Sequence, residues 1–280
     1  SLEDKQVVTE SLLRCGATIH QINSVRKHLS GIKGGLLAKA CYPAPVLTLA
    51  ISDVPRDDLE VIASGPSVPD PSTLNDALNV LEYFNIQVPQ NVLRHLQNSS
   101  NETPKPGGSF WERCRYELIA KPQQSLESVA EIGRQVGLNV MVLGDSLEGE
   151  SRESAIVHAG IARQVLRHHQ PIAPPALLLS GGETSVTLKG SGRGGPNTEF
   201  LLSMFCELKG EPGIHAIACD TDGIDGSEDN AGAWISPKSF AMAKSLNLDP
   251  HDLLHNNDSY LFFKELDSLI ISGPTLTNVN

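Results

Sequence analysis

Several features that define other classes of protein are missing from this 280-residue chain. No apolar run approaches the roughly 20 residues that a membrane-spanning helix needs, so we expect no membrane partner. The chain also lacks the basic footprint of a nucleic-acid binder, because its formal net charge is −11. We therefore predict a globular, water-soluble protein that acts on small molecules and binds no nucleic acid.

Paired cysteine motifs are absent as well. The five cysteines are scattered and none has C-x-x-C spacing. This pattern indicates free thiols and a reducing compartment, which favours the cytoplasm, with the mitochondrion as an alternative. Any targeting segment would lie upstream of Ser1. The oligomeric state is left open, and a homo-oligomer is one of the alternatives.

The order of apolar and polar segments predicts an α/β fold with two domains. Helical spacing predicts two helices in the first forty residues, with Thr18 as the N-cap of the second. Segment 98–109 is polar and rich in Pro and Gly, which is typical of an interdomain linker. We therefore place the domains at 1–108 and 109–280. Alternating strands and helices in the second domain predict a mostly parallel or mixed sheet.

The second domain contains two glycine-rich stretches between predicted strands and helices. We predict a turn at 180–184, a short strand at 185–188, a glycine loop at 190–197 and a helix at 198–208. The remaining predicted elements are strands at 116–120, 139–143, 176–179 and 214–219, a loop at 144–149, and helices at 125–136 and 151–169.

An acidic loop follows the predicted strand 214–219. It contains Asp220, Asp222 and Asp225, with glycines at 223 and 226. Three close carboxylates repel one another unless solvent, a cationic side chain or a metal ion shares the site. The alternatives are therefore a divalent-cation site and a solvated turn, because Asp-Gly pairs also close hairpins.

The glycine loop supports two interpretations. Residues 190–195 fit G-x-G-x-x-G, and Asp220 follows about 25 residues later, as in a dinucleotide-binding fold, which would indicate a hydride-transfer enzyme. Alternatively, the glycine stretches could cradle phosphates with their backbone N–H groups, while Arg193 neutralises a transferring phosphoryl group. The second interpretation predicts a phosphotransferase, although no Walker A or protein-kinase signature is present.

Two places in the first domain are candidates for substrate contact. Arg26 and Lys33 belong to a basic cluster that could clamp a carboxylate or phosphate, or could merely complement a helix dipole. Ser52 and Asp53 follow the predicted strand 45–51, and ligands collect at the carboxyl ends of strands in α/β proteins. Asp53 could equally cap a turn.

Seven short motifs carry a resemblance to a known family. They are NSVRKHLS at 23–30, ISDVP at 51–55, IASGP at 62–66, SGGET at 180–184, GRGG at 192–195, DTDG at 220–223 and SGPT at 272–275. Together they resemble the class-II glycerate kinase family, whose C-terminal half is called the MOFRL domain. The resemblance covers essentially the whole chain. It implies Mg²⁺-assisted phosphoryl transfer from ATP to glycerate, in a cleft between a Rossmann-like N-terminal domain and the MOFRL domain.

The resemblance also implies roles for individual residues. Asp220 and Asp222 would hold nucleotide-bound Mg²⁺, Arg193 would contact the transferring phosphate, and Asp53 would be the candidate base. The expected substrate contacts are Arg26, Lys33 and Ser52. The expected nucleotide and phosphate contacts are Gly181, Gly182, Glu183, Thr184, Gly192, Gly194, Gly195 and Asn197.

The chain departs from the family pattern in two ways. We expect it to lack the first part of the N-terminal domain, which carries Gly-Lys-Ala and Ser-Gly-Gly-Gly segments in relatives, and to stop before a final strand. Pro196 and Thr198 stand where many relatives have Arg and Gln. Because members have also been labelled hydroxypyruvate reductases, an NAD(P)-dependent reductase remains an alternative, as does an inactive binding fragment.

Overall fold

A computed structural model describes residues 1–54 and 57–279. The chain divides into two compact units. The first contains residues 1–50 and 57–119, and the second contains the described residues of 51–56 and 120–280. Pro55, the last residue of the 51–55 motif, lies outside the described residues. None of the described helices is both long and apolar enough to cross a membrane.

The first unit is mainly helical. Its α-helices are α1 (Leu2–Arg14), α2 (Ile19–His28), α3 (Leu36–Cys41), α4 (Leu74–Tyr83) and α5 (Gln90–Leu96), and strands β1 (Val46–Ile51) and β2 (Cys114–Ala120) form a two-stranded sheet. Residues from α1, α2, α4 and α5, including Leu12, Val25 and Ala77, form a common core. The predicted start of α2 is confirmed, because Thr18 and Gln21 form a reciprocal capping box.

Segment 98–109, which composition predicts to be a linker, is tied into the first unit. Thr103 is only 2% exposed, and its hydroxyl donates to Asp70 at 3.0 Å. Glu102 accepts hydrogen bonds from the imidazole of His28 at 2.8 Å and from Lys105 at 2.7 Å. These buried and half-buried contacts hold the segment in place despite its breaker-rich composition. The domain boundary at residue 108 stays a prediction.

The second unit is α/β, so the predicted fold class is confirmed. Strands β3 (Asn139–Glu150) and β4 (Ala176–Ser185) pair in parallel, and β5 (Ala216–Cys219), β6 (Gly232–Ile235) and β7 (Leu269–Ile270) form an antiparallel sheet. The helices are α6 (Pro122–Gln135), α7 (Ser151–His168), α8 (Pro196–Leu208), α9 (Pro237–Ser245), α10 (Pro250–His255) and α11 (Ser259–Glu265). The core centres on α8 and α11, where Leu201, Phe262 and Phe263 are fully buried.

Three local predictions in the second unit are wrong. The predicted loop 144–149 continues β3, the predicted turn 180–184 continues β4, and the separate strand predicted at 185–188 does not form, because β4 ends at Ser185 and residues 186–188 are not in a strand. The two strands stay paired through register shifts, and Gly182 lies opposite Leu147. At Gly182, φ is +146° and a Cβ would come within 2.1 Å of the Leu147 carbonyl oxygen. This glycine therefore allows close approach of two strands and does not form a turn.

Candidate active site

A cavity of about 300 Å³ lies within the second unit, between the β3–β4 pair, β5, α6, α7 and α8. It brings together six of the residues predicted from the sequence to contact the nucleotide or metal: Gly181, Gly182, Glu183, Thr184, Asn197 and Asp220. Its wall also contains residues that sequence reasoning missed, among them His158, Ser180, Phe200, Ile217 and Thr221. No lysine or arginine lines it among the described residues.

Two hydrogen bonds between α7 and β4 mark the two ends of the stretch of β4 that lines this cavity, residues 180–184. At one end, Ser151 at the start of α7 donates to Thr184 at 2.7 Å. At the other, Ser180 lies 3.0 Å from His158 Nε2. Thr184 is four positions after Ser180 in the strand, a distance of about 13 Å. We call the Ser151–Thr184 end the polar end and the Ser180–His158 end the apolar end.

The arrangement of α7 and α8 is consistent with these two ends of the cavity. Ion pairs join Arg152 to Glu199 and Arg163 to Glu211, so α7 and α8 run parallel and begin at the same edge. Asn197, in the first turn of α8, therefore lies toward the polar end. Phe200 lies one turn further along and packs edge-on against His158, with ring centroids 5.1 Å apart. Apolar side chains of α6 and β5, Leu126, Val129 and Ile217, also line the cavity.

The acidic loop lies between this cavity and a second one. Asp220 and Thr221 line the first cavity, whereas Asp222 lines an open cavity of about 440 Å³ together with Asp53. The C-terminal segment fastens the loop: the Thr275 N–H donates to the Asp222 carbonyl at 2.9 Å, and the Val279 N–H donates to the Thr221 hydroxyl at 2.9 Å. The two predicted metal ligands thus open onto different cavities.

Asp220 is electrostatically unfavourable as an isolated carboxylate. Burial, and then the neighbouring charges of Asp222 and Asp225, raise its pKa above the usual range, although backbone N–H groups of the loop oppose the shift. A divalent cation would relieve this cost. Within residues 1–54 and 57–279, no cluster of three or more His, Cys, Asp or Glu could hold a metal unaided. Two carboxylates do fit Mg²⁺, which commonly uses one or two of them together with substrate phosphates.

Asp225, the third acid of the loop, has a structural role. It is fully buried and accepts hydrogen bonds from the backbone N–H groups of Asn197 at 2.9 Å and Thr198 at 2.8 Å. The Thr198 hydroxyl donates to it at 2.7 Å, and Ser259 donates to Thr198 at 2.9 Å. The carboxylate therefore occupies the position at the N-terminus of α8 where a bound anion would lie.

The glycine loop is packed against the turn between α10 and α11. Asn257 accepts hydrogen bonds from the N–H groups of Lys189 and Gly190, at 2.8 and 2.9 Å. The Gly192 N–H donates to the Asn256 carbonyl at 2.9 Å, and the Gly195 N–H donates to Thr198 at 3.0 Å. Gly192, Gly194 and Gly195 do not line the cavity. Backbone donors of this loop are thus largely used within the protein.

Arg193 lies outside both cavities. Its side chain is 56% exposed, its Nη1 is 3.1 Å from a carboxylate oxygen of Glu228, and its guanidinium stacks over the Tyr260 ring at 4.9 Å. These contacts describe a surface ion pair with cation–π support. The assignment of Arg193 to a transferring phosphate stays a hypothesis that this placement does not favour.

The first unit contains the other predicted substrate residues. The Lys33 ammonium donates to the Ala63 carbonyl at 3.0 Å and to the Ser64 hydroxyl at 3.3 Å. Burial, followed by the charge of nearby Arg26, lowers the pKa of Lys33. Ala63 and Ser64 have φ values of 52° and 61°, and such left-handed non-glycine residues concentrate at functional sites. Arg26 and Lys33 thus form a basic cluster beside a strained turn.

Ser52 and Asp53 differ in accessibility. Ser52 is fully buried, and its hydroxyl donates to the Val54 carbonyl at 3.4 Å. Asp53 is exposed and lines the second cavity with Asp222. Of these neighbours, only Asp53 can meet a ligand there.

Comparison with known proteins agrees with the motifs. A domain of unknown function (DUF4147) matches residues 1–97, and the MOFRL family matches residues 176–280. The whole chain is 50% identical to a putative hydroxypyruvate reductase from Agrobacterium vitis and 41% identical to a D-glycerate 2-kinase from Thermotoga maritima. It spans 64% and 66% of the lengths of these two relatives.

A solved structure is similar to the entire chain. A glycerate kinase from Thermotoga maritima matches with a TM-score of 0.88 and 40% identity, over 100% of this chain and 66% of that one. Motif order, family matches and structural similarity all agree. The chain therefore belongs to the class-II glycerate kinase family, whose C-terminal half is the MOFRL domain.

Proposed function

We propose that the protein of which this chain is part transfers the terminal phosphoryl group of ATP to glycerate, with Mg²⁺. The observation that carries this proposal is the cavity of the second unit, which has an apolar end at His158 and Phe200, a polar end at Thr184 and Asn197, and Asp220 in its wall. A nucleotide has the same division, because its base is a flat, largely apolar ring and its phosphates are polar and charged. A site with one apolar wall and a few placed polar groups is typical of ligand binding.

Mg²⁺ is part of the proposal because of the charge of the cavity. Asp220 lines it, and no described lysine or arginine does, so a bare triphosphate would be repelled. Asp220, with Asp222 two residues further along the loop, would hold the ion, which would neutralise phosphate charge when bound. Thr184, Thr221 and Asn197 would supply polar contacts at the same end.

For the acceptor, we assign the carboxylate of glycerate to Arg26 and Lys33. Two clustered cations suit a small carboxylate, and arginine can contact it through two parallel hydrogen bonds. Asp53 is the proposed base for the attacking hydroxyl, because it is exposed and lines a cavity next to Asp222. The name of the Thermotoga maritima relative, D-glycerate 2-kinase, supports transfer to the C2 hydroxyl.

A reductase acting on hydroxypyruvate is the second candidate, since an Agrobacterium vitis relative carries that name. The G-x-G-x-x-G segment gives it little support. Residues 186–189, just before the segment, are not a strand, and β4 and β5 on either side belong to different sheets. A dinucleotide fold needs the glycines between a strand and a helix of one parallel sheet.

A pair of assays on the same purified preparation separates these candidates. We would measure ADP formation with D-glycerate, ATP and Mg²⁺, and NAD(P)H oxidation with hydroxypyruvate. The kinase proposal predicts ADP release that requires both glycerate and Mg²⁺, with 2-phosphoglycerate identified by NMR. Cofactor oxidation without glycerate-dependent ADP release would overturn it.

Calorimetric titration with MgADP distinguishes a binding protein from an enzyme. If MgADP binds while neither assay shows turnover, the 280-residue chain is a nucleotide-binding module under those conditions. If MgADP does not bind either, the assignment of the cavity to the nucleotide is wrong.

A further inference from the structure

We propose that Ser180, oriented by His158, makes the nucleotide cavity selective for a base carrying an amino group over one carrying an oxo group at the same position. The inference rests on the proposed nucleotide function of the cavity and assigns base recognition to its apolar end. Neither residue takes part in the phosphate or metal chemistry proposed for the polar end.

The hydrogen bonds determine which ring nitrogen of His158 carries the proton. His158 Nδ1 lies 2.7 Å from the backbone carbonyl oxygen of Ser154, which can only accept. Nδ1 must therefore carry hydrogen, and Nε2 of the neutral ring is an acceptor. The Ser180 hydroxyl, 3.0 Å from Nε2, consequently donates its only hydrogen to the ring.

This donation leaves lone pairs as the polar feature that Ser180 offers to a ligand. A hydroxyl has one donor and two acceptor sites, and the donor is used. Ser180 is exposed and lines the cavity. It therefore accepts a hydrogen bond from a ligand but gives none while His158 is neutral.

Packing keeps His158 in this orientation. The ring packs edge-on against Phe200, 5.1 Å away between centroids, and its Nδ1 bond to the preceding helical turn fixes the ring rotation. Ser180 lies at the end of the cavity remote from Thr184, which is the end assigned to the base. His158 is thus a positioning residue and Ser180 the contact residue.

Adenine and hypoxanthine test this arrangement because they differ at one position. The exocyclic amino group of adenine donates to Ser180, whereas the exocyclic oxygen of hypoxanthine faces its lone pairs and leaves both unpaired. A site that hydrogen-bonds one group discriminates against an analogue that lacks it. We expect MgADP to bind about tenfold more tightly than MgIDP.

The experiment is calorimetric titration of MgADP and MgIDP into the 280-residue chain and four variants. Ser180→Ala and His158→Phe remove the acceptor and its orienting group, and should reduce the ADP preference to about twofold or less. His158→Gln offers a new acceptor to Ser180 and should retain part of the preference. Ser128→Ala is the matched control, because its exposed hydroxyl donates to Gln124 outside the cavity.

Each result decides a different point. Equal binding of MgADP and MgIDP to the unmodified chain, or an unchanged preference in Ser180→Ala, would overturn base selection while leaving the nucleotide site intact. Failure of both nucleotides to bind would overturn the nucleotide assignment and this inference with it. Loss of preference in Ser180→Ala and His158→Phe, with partial retention in His158→Gln, supports Ser180 as the contact residue and His158 as the residue that orients it.

Discussion

Asp220 and Asp225 belong to the same seven-residue loop, yet the structure uses them in opposite ways. Asp225 is fully buried and accepts hydrogen bonds from Asn197 and Thr198 at the start of α8. Asp220 is half-buried at the edge of a cavity, and its hydrogen bonds come from its own loop. The first carboxylate has partners on a different element of the fold, whereas the hydrogen bonds of the second come only from its own loop.

The same contrast extends to Glu102 in the first unit. Burial would raise its pKa, but hydrogen bonds from Lys105, the Leu74 N–H and His28 outweigh that effect and lower the pKa to about 2. For Asp220 the balance is reversed, because burial and like charges dominate. Burial raises the pKa of Asp225 as well, despite its donors, so the number and origin of the hydrogen-bond donors, and not the direction of the pKa shift, separate Asp225 from Asp220. Four substitutions test this distinction.

Replacing Asp225 should have the largest effect. Asp225→Ala leaves two backbone N–H groups and the Thr198 hydroxyl without their acceptor in a buried position. We expect a loss of about 3–5 kcal/mol in the free energy of unfolding. Urea denaturation followed by circular dichroism measures it. Asp225→Asn keeps one acceptor oxygen and should lose less, and equal stability of all three proteins would contradict the structural role.

Asp220→Asn should instead affect ligand binding. We expect Mg²⁺-dependent ADP binding to weaken at least tenfold and glycerate-dependent turnover to fall about 100-fold, because the carboxylate that we propose as the ligand of the ion is lost. Calorimetry with and without EDTA measures the first effect. Asp229→Asn, an exposed loop residue outside both cavities, is the control.

The free energy of unfolding gives an independent test of the role of Asp220, because the direction of its change in Asp220→Asn can be predicted. Because its folded-state pKa is raised above the ordinary value of 3.8, the folded state binds the proton more tightly than the unfolded state. The contribution of Asp220 to stability therefore falls as pH rises from 3.8 through the folded pKa. At pH 7 without Mg²⁺, Asp220→Asn should be slightly more stable, by up to about 1 kcal/mol. A clear loss of stability would place Asp220 with Asp225 instead.

Local features of the fold could be predicted from the sequence. The start of α2 depends on Thr18 and Gln21, three residues apart, and α7 and α8 follow from helical periodicity and their flanking residues. Such signals act within one or two turns of chain, so a single sequence contains them. The position of Asp220 after a strand is also a local property.

The features that could not be predicted from the sequence depend on contacts between residues that are far apart in the chain. Gly182 resembles a turn residue, but its conformation is set by pairing with Leu147, 35 positions away in the chain. In sequence, the glycine loop at 190–195 resembles a phosphate-binding loop. In the structure, Asn257 instead accepts hydrogen bonds from the backbone N–H groups of Lys189 and Gly190. His158 has no motif around it, and only its contact with Ser180 identifies it. The roles of polar residues therefore depended on long-range contacts.

Replacing Glu102 should have a smaller effect on stability, and that effect should depend on acid pH. Its folded pKa of about 2 lies below the ordinary value of 4.5, so its stabilising effect is complete above pH 4.5 and is lost as pH falls toward 2. About a third of the side chain is exposed, and after allowance for solvent screening we expect about 1 kcal/mol. Thermal unfolding at pH 6 and pH 3 should therefore show a smaller acid loss in Glu102→Gln.

The matched control for Glu102 is Glu10→Gln, an exposed carboxylate paired with Arg14 on the same helix. Glu10 lacks the additional donors that surround Glu102, so its replacement should leave the acid loss of the unmodified protein in place. If Glu102→Gln retained the full acid loss, the hydrogen bonds from Lys105, Leu74 and His28 would not account for it.

Replacing Arg193 should have the smallest effect. It also tests whether the position of this residue in the structure or the GRGG motif in the sequence better predicts its role. Its exposed pair with Glu228 and its stacking on Tyr260 are together expected to contribute less than about 1 kcal/mol, an amount that salt screens. Since Arg193 lines neither cavity, Arg193→Ala should keep turnover within about threefold, and Arg193→Lys should behave alike. A 100-fold fall in turnover with unchanged stability would instead favour the phosphate role suggested by the GRGG motif. Arg193 would then have to leave Glu228 during the reaction, and the distinction drawn from carboxylate partners would not extend to cations.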